Sequence, residues 1–78
     1  MKTENQCAQR IIENIAWESR EHAVIQNSTS WENLQAACDA NEYVLDAAEV
    51  VDTPDLSDHE FWNGVISIVD RWLNERAS

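Results

Sequence analysis

Glycine and proline are almost absent from this chain, and their scarcity limits the folds that it can adopt. Gly64 and Pro54 are the only two among 78 residues. Tight β-hairpins depend on turn residues of this kind, whereas helices need few of them. Three segments of the sequence also repeat apolar residues at the 3.6-residue period of an amphipathic helix. The sequence therefore predicts an all-α protein.

The first predicted helix spans residues 4–25. Thr3, with Gln6 three positions later, forms the capping-box pattern that typically begins a helix. A polar run at 26–29 ends it. One stripe of this predicted helix is apolar or small: Ala8, Ile11, Ile12, Ile15, Ser19 and Ala23.

The second predicted helix spans residues 30–51 and the third spans residues 58–76. Asn41 interrupts the apolar stripe of the second helix, so this helix kinks or restarts there, but we treat it as continuous. Pro54 separates the two helices, because the residue before a proline is displaced from helical backbone angles. The third helix has the strongest apolar stripe in the chain: Phe61, Trp62, Val65, Ile68, Val69, Trp72 and Leu73.

Three amphipathic helices joined by short loops predict a small antiparallel three-helix bundle, with residues 1–78 forming a single domain. Cys7 and Cys38 would lie about 15 Å out of register in this arrangement, which is too far for a disulfide. The N-terminal residues contain no apolar signal segment, and no window approaches the length of a membrane span. We therefore expect a cytoplasmic protein without membrane contacts.

No pattern in the sequence predicts a catalytic residue, a cofactor or a metal site. Glycine-rich phosphate-binding loops are excluded, because Gly64 is the only glycine. His22 and His59 lack the i, i+4 spacing to each other or to a cysteine that a helical zinc site needs. The acidic segment 52–60 lacks the ligand spacing and the glycine of an EF-hand calcium loop. We therefore expect a protein that is not an enzyme.

Negative charge is the most informative feature for function. The formal net charge is −10, and residues 21–70 contain eleven carboxylates and no Lys or Arg. Eight of these carboxylates follow one another closely along the second predicted helix and the segment after it. We call them the acidic edge: Asp39, Glu42, Asp46, Glu49, Asp52, Asp55, Asp58 and Glu60.

Two interpretations of the acidic edge stay open. Charged surfaces commonly serve only solubility. However, like charges three and four residues apart destabilise a helix, and ordinary surface helices alternate the two signs. An all-negative edge suits docking on a surface rich in Lys and Arg, such as the phosphate-binding groove of a nucleic-acid-binding protein. Direct binding of nucleic acid is disfavoured, because the charge has the wrong sign.

A second group of residues lies away from the predicted apolar stripes. Trp17 and Val24 lie opposite the stripe of the first helix, and Tyr43 and Val50 lie opposite that of the second. One interpretation is a core that buries a wider arc of each helix, or a kink that rotates the second helix. The other is a contact with a partner or with a second copy, since Trp and Tyr dominate the energetics of interfaces.

The segment from Gly64 to Trp72 resembles the last helix of the colicin DNase immunity proteins, which are small, acidic, helical inhibitors of nucleases. In size and charge the chain is also similar to phage-encoded inhibitors, such as anti-CRISPR and anti-restriction proteins that mimic nucleic acid. The aromatic recognition motif of the immunity proteins is missing from this sequence. The resemblance therefore implies no site residue.

These observations predict a non-enzymatic acidic interaction protein that binds and inhibits a basic, nucleic-acid-binding protein by mimicking nucleic acid. The acidic edge would contact the partner, with Trp17 or Tyr43 as an apolar anchor. The alternative is a structural or adaptor module that forms a homodimer or joins a larger complex. Its contacts would be Trp17, Val24, Tyr43 and Val50.

Overall fold

The computed structural model describes residues 3–77, and this part of the chain is helical without any β-strand. Its five helices are α1 Glu4–Ser19, α2 Ala23–Gln26, α3 Trp31–Ala37, α4 Asn41–Val50 and α5 His59–Arg76. The all-α prediction is confirmed. The three-helix bundle is not confirmed, because two of the three predicted helices are interrupted. The third predicted helix, residues 58–76, corresponds to α5.

The core lies around α1, which packs against α5, α4 and α2, while α3 packs against α5 and α2. The predicted capping box is present at the start of α1: the Gln6 N–H donates to Thr3 Oγ1 (3.2 Å), and the Thr3 N–H donates to Gln6 Oε1 (3.0 Å). From this start, the apolar residues of α1 recur on the side that faces the other helices. The largest fully buried side chains are Ile11, Ile15, Leu34, Leu73, Val65, Val69 and Cys7.

The prediction of one helix over residues 4–25 is wrong beyond Ser19. The main-chain N–H groups of Arg20 and Glu21 donate to carbonyls three residues back, at 3.3 and 3.1 Å, so the last turn tightens and the chain leaves the helix. The Ser19 hydroxyl also donates to the Ile15 carbonyl (2.7 Å), a bond that tends to bend a helix. The helical path resumes at α2.

A distant arginine holds α2 in place. The Arg76 guanidinium, near the end of α5, donates to Ser19 Oγ (3.1 Å), the Ile25 carbonyl (2.9 Å) and the Ser28 carbonyl (3.1 Å). These three acceptors lie at the end of α1 and along and after α2. The break after α1 is therefore stabilised by a residue 48 to 57 positions away in the sequence.

The prediction of one helix over residues 30–51 is wrong in its middle. Cys38 has an extended backbone, with φ −155° and ψ 176°, and separates α3 from α4. The helix restarts at Asn41, so the restart that the sequence left open is the outcome. The break rotates α4 relative to α3. Tyr43, which the sequence predicted to lie opposite the apolar stripe, consequently faces the core, whereas Leu45 faces solvent.

Candidate partner-binding surface

Seven of the eight acidic-edge residues lie at the surface of the structure. The exposed ones are Asp39, Glu42, Glu49, Asp52, Asp55, Asp58 and Glu60. The eighth, Asp46, is half-buried between α4 and α1. The acidic edge is therefore largely accessible, but its members do not all have the same environment.

Asp46 is neutralised by α1 and does not belong to an unpaired negative surface. Arg10 Nε donates to Asp46 Oδ2 (2.8 Å), and the second arm of the guanidinium donates to Oδ1 (3.3 Å). Asn14 Nδ2 donates to the same Oδ2 atom (2.6 Å). The hydrogen bond from Arg10 lowers the pKa of the Asp46 carboxyl, with Asn14 contributing in the same direction. The sequence lacks a cation within the helix, but folding brings one from residue 10.

Two other members of the acidic edge stabilise the start of α5. Asp55 Oδ1 accepts the main-chain N–H of Ser57 (2.8 Å), which lowers the pKa of the Asp55 carboxyl. Asp58 is the N-cap of α5, and its Oδ1 accepts the main-chain N–H of Phe61 (3.2 Å). The Asp55 carbonyl also accepts the indole N–H of Trp62 (3.1 Å). Turn and cap formation therefore explain part of the acidity of this segment.

The solvent side of α4 combines negative charge with an apolar side chain. Glu42, Leu45 and Glu49 lie three and four residues apart, so they share one side of the helix. Leu45 is 48% exposed. The helical rise separates Glu42 from Glu49 by about 10 Å along the axis. We call these three residues the α4 face; Asp39 precedes it in the sequence. The sequence analysis did not predict that Leu45 is a surface residue. A helical wheel that starts again at Asn41 is the signal that could have identified it.

Tyr43 is buried, so the prediction that it anchors a partner is wrong. Its side chain is only 5% exposed, and its hydroxyl donates to Glu18 Oε2 at 2.6 Å. Burial raises the pKa of the Tyr43 phenol, and the neighbouring Glu18 carboxylate raises it further. Tyr43 therefore joins α4 to α1 and is unavailable to a partner.

The other residues predicted to lie away from the apolar stripes are exposed. Trp17 is 68% exposed, Val24 55% and Val50 58%. The Arg20 guanidinium lies over the Trp17 ring, 4.9 Å from the ring centroid. Leu56, in the segment before α5, is a further exposed apolar residue at 46%. Contact of these residues with a partner stays a prediction.

Within residues 3–77, no three His, Cys, Asp or Glu side chains are grouped so that they could hold a metal ion. None of the helices in the same range has the length and apolar character needed to cross a bilayer.

A shallow cleft of 230 Å³ between α1 and α4 is lined by Asn14, Glu18, Glu42, Tyr43 and Asp46. Cys7 and Cys38 are free thiols.

No protein-family model, no curated protein and no solved structure matches this chain.

Proposed function

We propose that this protein is a non-enzymatic acidic interaction protein that docks on a basic, nucleic-acid-binding surface of a partner protein and inhibits it by occupying that surface. The observation that supports this most is the α4 face with Asp39 before it. Asp39, Glu42 and Glu49 are exposed, and none of them pairs with a cation among the described residues, where the one ion pair is Arg10 with Asp46.

The corrected surface also supplies an apolar contact. Leu45, rather than Tyr43, lies between the two glutamates of the α4 face and is half exposed. Complementary charge speeds encounter and favours the correct partner, whereas an apolar contact at the centre contributes affinity. Carboxylates about 10 Å apart along a helix can take the places of phosphates in a groove that normally holds nucleic acid.

Three variants test this proposal. The first neutralises the face with D39N, E42Q and E49Q together. The second removes the same amount of charge elsewhere, at three exposed glutamates of the described chain, with E13Q, E21Q and E32Q. Both change the formal net charge from −10 to −7. The third, D46N, removes a carboxylate that Arg10 already neutralises.

Each variant and the unmodified protein are immobilised and exposed to a lysate of the source cells at low salt. Bound proteins are then eluted with duplex DNA. We expect the unmodified protein, D46N and the E13Q/E21Q/E32Q variant to retain a nucleic-acid-binding protein that DNA displaces. The D39N/E42Q/E49Q variant should associate with that protein about tenfold more slowly. Equal retention by both triple variants, or retention that DNA does not reverse, would contradict the proposal.

A second function is a structural or adaptor module that associates through apolar residues. The exposure of Trp17, Val24 and Val50 favours it. Apolar association resists salt, whereas docking by charge weakens as salt screens it. Light scattering at low and high salt separates the two: a dimer that persists at high salt and disappears in W17A supports the module, and a monomer at both concentrations excludes a homodimer.

A further inference from the structure

Two arginines, Arg20 and Arg76, lie near the place where α1 ends and where the last turn of α5 contacts α2. They border a cleft of 280 Å³ that is lined by Ala16, Ser19, Arg20, Gln26, Trp72 and Arg76. None of these six side chains is acidic, although 15 of the 78 residues are Asp or Glu. We call this site the arginine cleft.

Arg76 is held rigidly at the arginine cleft. Its hydrogen bonds to Ser19 Oγ and to the carbonyls of Ile25 and Ser28 use three of the five N–H groups of the guanidinium. The guanidinium also stacks on the Trp72 ring, with 4.8 Å between its central carbon and the ring centroid. The remaining N–H groups are on Nε and Nη1. They are donors of fixed direction, which favours binding because little motion is lost.

Neither Arg20 nor Arg76 forms an ion pair with a carboxylate among residues 3–77. Within that range, the only ion pair is the one between Arg10 and Asp46. Arg76 is half-buried, and the loss of water around it lowers its pKa. The acceptors of Arg76 among the described residues are neutral oxygens, so they leave its positive charge uncompensated there. An anion that reaches a partly buried cation is bound more strongly than at an exposed site.

The residues that line this open, shallow cleft indicate what kind of anion suits it. Trp72 and Ala16 provide apolar surface. Arg20, whose guanidinium lies over the exposed ring of Trp17, also lines the cleft. A volume of 280 Å³ is near the lower end for small-molecule sites. A molecule with a single ring and one charged substituent would meet both an apolar side chain and a cation there.

We propose that the arginine cleft binds a small organic oxyanion, a carboxylate or a phosphate monoester attached to one planar ring. Arg76 and Arg20 donate hydrogen bonds to the oxyanion, and Trp72 contacts the ring. This site is separate from the α4 face and does not depend on the docking function proposed above.

The test is an NMR titration of the full chain at constant ionic strength with four probes: benzoate, phenyl phosphate, inorganic phosphate and benzyl alcohol. We expect saturable shifts of the Trp72 indole N–H and the Arg76 Nε–H with benzoate or phenyl phosphate, and the tighter of the two identifies the oxyanion. Inorganic phosphate lacks the ring and benzyl alcohol lacks the charge, so both should bind more weakly. Benzyl alcohol that binds as tightly as both anions, or shifts that never saturate, would overturn the proposal.

Matched variants separate the cleft from general charge. R20Q removes a guanidinium of the cleft lining that takes no part in the hydrogen bonds of Arg76, and it should weaken binding of the preferred probe about fivefold. R71Q removes the same charge from an exposed arginine of α5 that does not line the cleft, and it should leave the affinity unchanged. Equal weakening in R20Q and R71Q would show that the probe senses only net charge, and the proposed site would then be wrong.

Discussion

Asp70 Oδ1, in α5, accepts the main-chain N–H of Trp31, the first residue of α3, at 2.8 Å. The first N–H groups of a helix have no partner within it, and negative charge is favourable at that end. Because α3 has only seven residues, it depends on contacts of this kind more than a long helix does. The carboxylate of Asp70 therefore contributes to the fold, although in the sequence it is only one of the eleven carboxylates of residues 21–70.

Replacing Asp70 with alanine should destabilise the protein by about 1–2 kcal/mol, since the N–H of Trp31 loses a charged acceptor in a partly buried position. Urea unfolding followed by tryptophan fluorescence measures the change. D39A is the matched control: it removes an exposed carboxylate next to α4 and should change the free energy of unfolding by less than about 0.5 kcal/mol. Equal losses in the two variants would mean that the contact between Asp70 and Trp31 contributes nothing.

The sequence predicted the parts of the fold that local chemistry determines. The Thr3–Gln6 capping box and the long apolar stripe of α5 need only neighbouring residues, and both are present. The break after Ser19 depends on Arg76, and the sequence offers no sign that these residues meet. The prediction of the partner-binding surface was limited in the same way, because the sequence did not determine where the second helix breaks. A helical wheel drawn through the Cys38 break places Tyr43 on the outer side of the helix and Leu45 on the inner side, the opposite of their positions in the structure. Tyr43 was therefore predicted as an anchor, and Leu45 was missed.

Tyr43→Phe tests whether the phenol joins α4 to α1. The substitution keeps the buried ring and removes only the hydrogen bond to Glu18, whose carboxylate is exposed and can be rehydrated. We expect a loss of about 1 kcal/mol in the free energy of unfolding. Tyr43→Ala also removes the ring and should cost about 3–5 kcal/mol. A cost near zero for the alanine variant would restore Tyr43 as a surface residue.

The stability of the protein should fall as the pH rises above about 10. Burial and the Glu18 carboxylate raise the pKa of Tyr43 in the folded state, so folding favours the neutral phenol. The stabilisation is therefore complete below the unfolded-state pKa of about 10 and is lost at higher pH. Urea midpoints at pH 9, 10 and 11 measure this decline. Because Y43F lacks the ionisable group, it should decline less steeply, and parallel curves would exclude Tyr43 as the cause.

The two cysteines should differ in their reactivity toward iodoacetamide. Cys7 is fully buried, and burial raises its pKa to about 11, so both access and the thiolate form are suppressed. Cys38 is half-buried, with a pKa that burial also raises, and its Sγ donates to the Leu34 carbonyl (3.4 Å). At pH 8 we expect Cys38 to be alkylated first. Cys7 should be alkylated only when the protein unfolds. Mass spectrometry of C7S and C38S assigns each rate, and faster labelling of Cys7 would contradict the described core.

Gly64→Ala should stabilise the protein, although a methyl group at this position meets another side chain. Gly64 lies inside α5 and does not have a positive φ, so alanine fits the backbone and favours the helix by about 0.5–1 kcal/mol. The atoms that the methyl group would meet belong to the carboxylate of Glu4, which is exposed and at the end of a flexible chain. It can move aside at small cost, so Tm should rise by about 2–8 °C.

The double-mutant comparison shows whether Glu4 does move. In an E4A background the obstructing carboxylate is absent, and the gain from Gly64→Ala should equal the gain in the unmodified protein. A fall in Tm in the unmodified protein, together with a rise in the E4A background, would mean that the Glu4 side chain is fixed against α5. The contact between Glu4 and Gly64 would then be part of how α1 packs on α5, and the glycine would be required by that close approach.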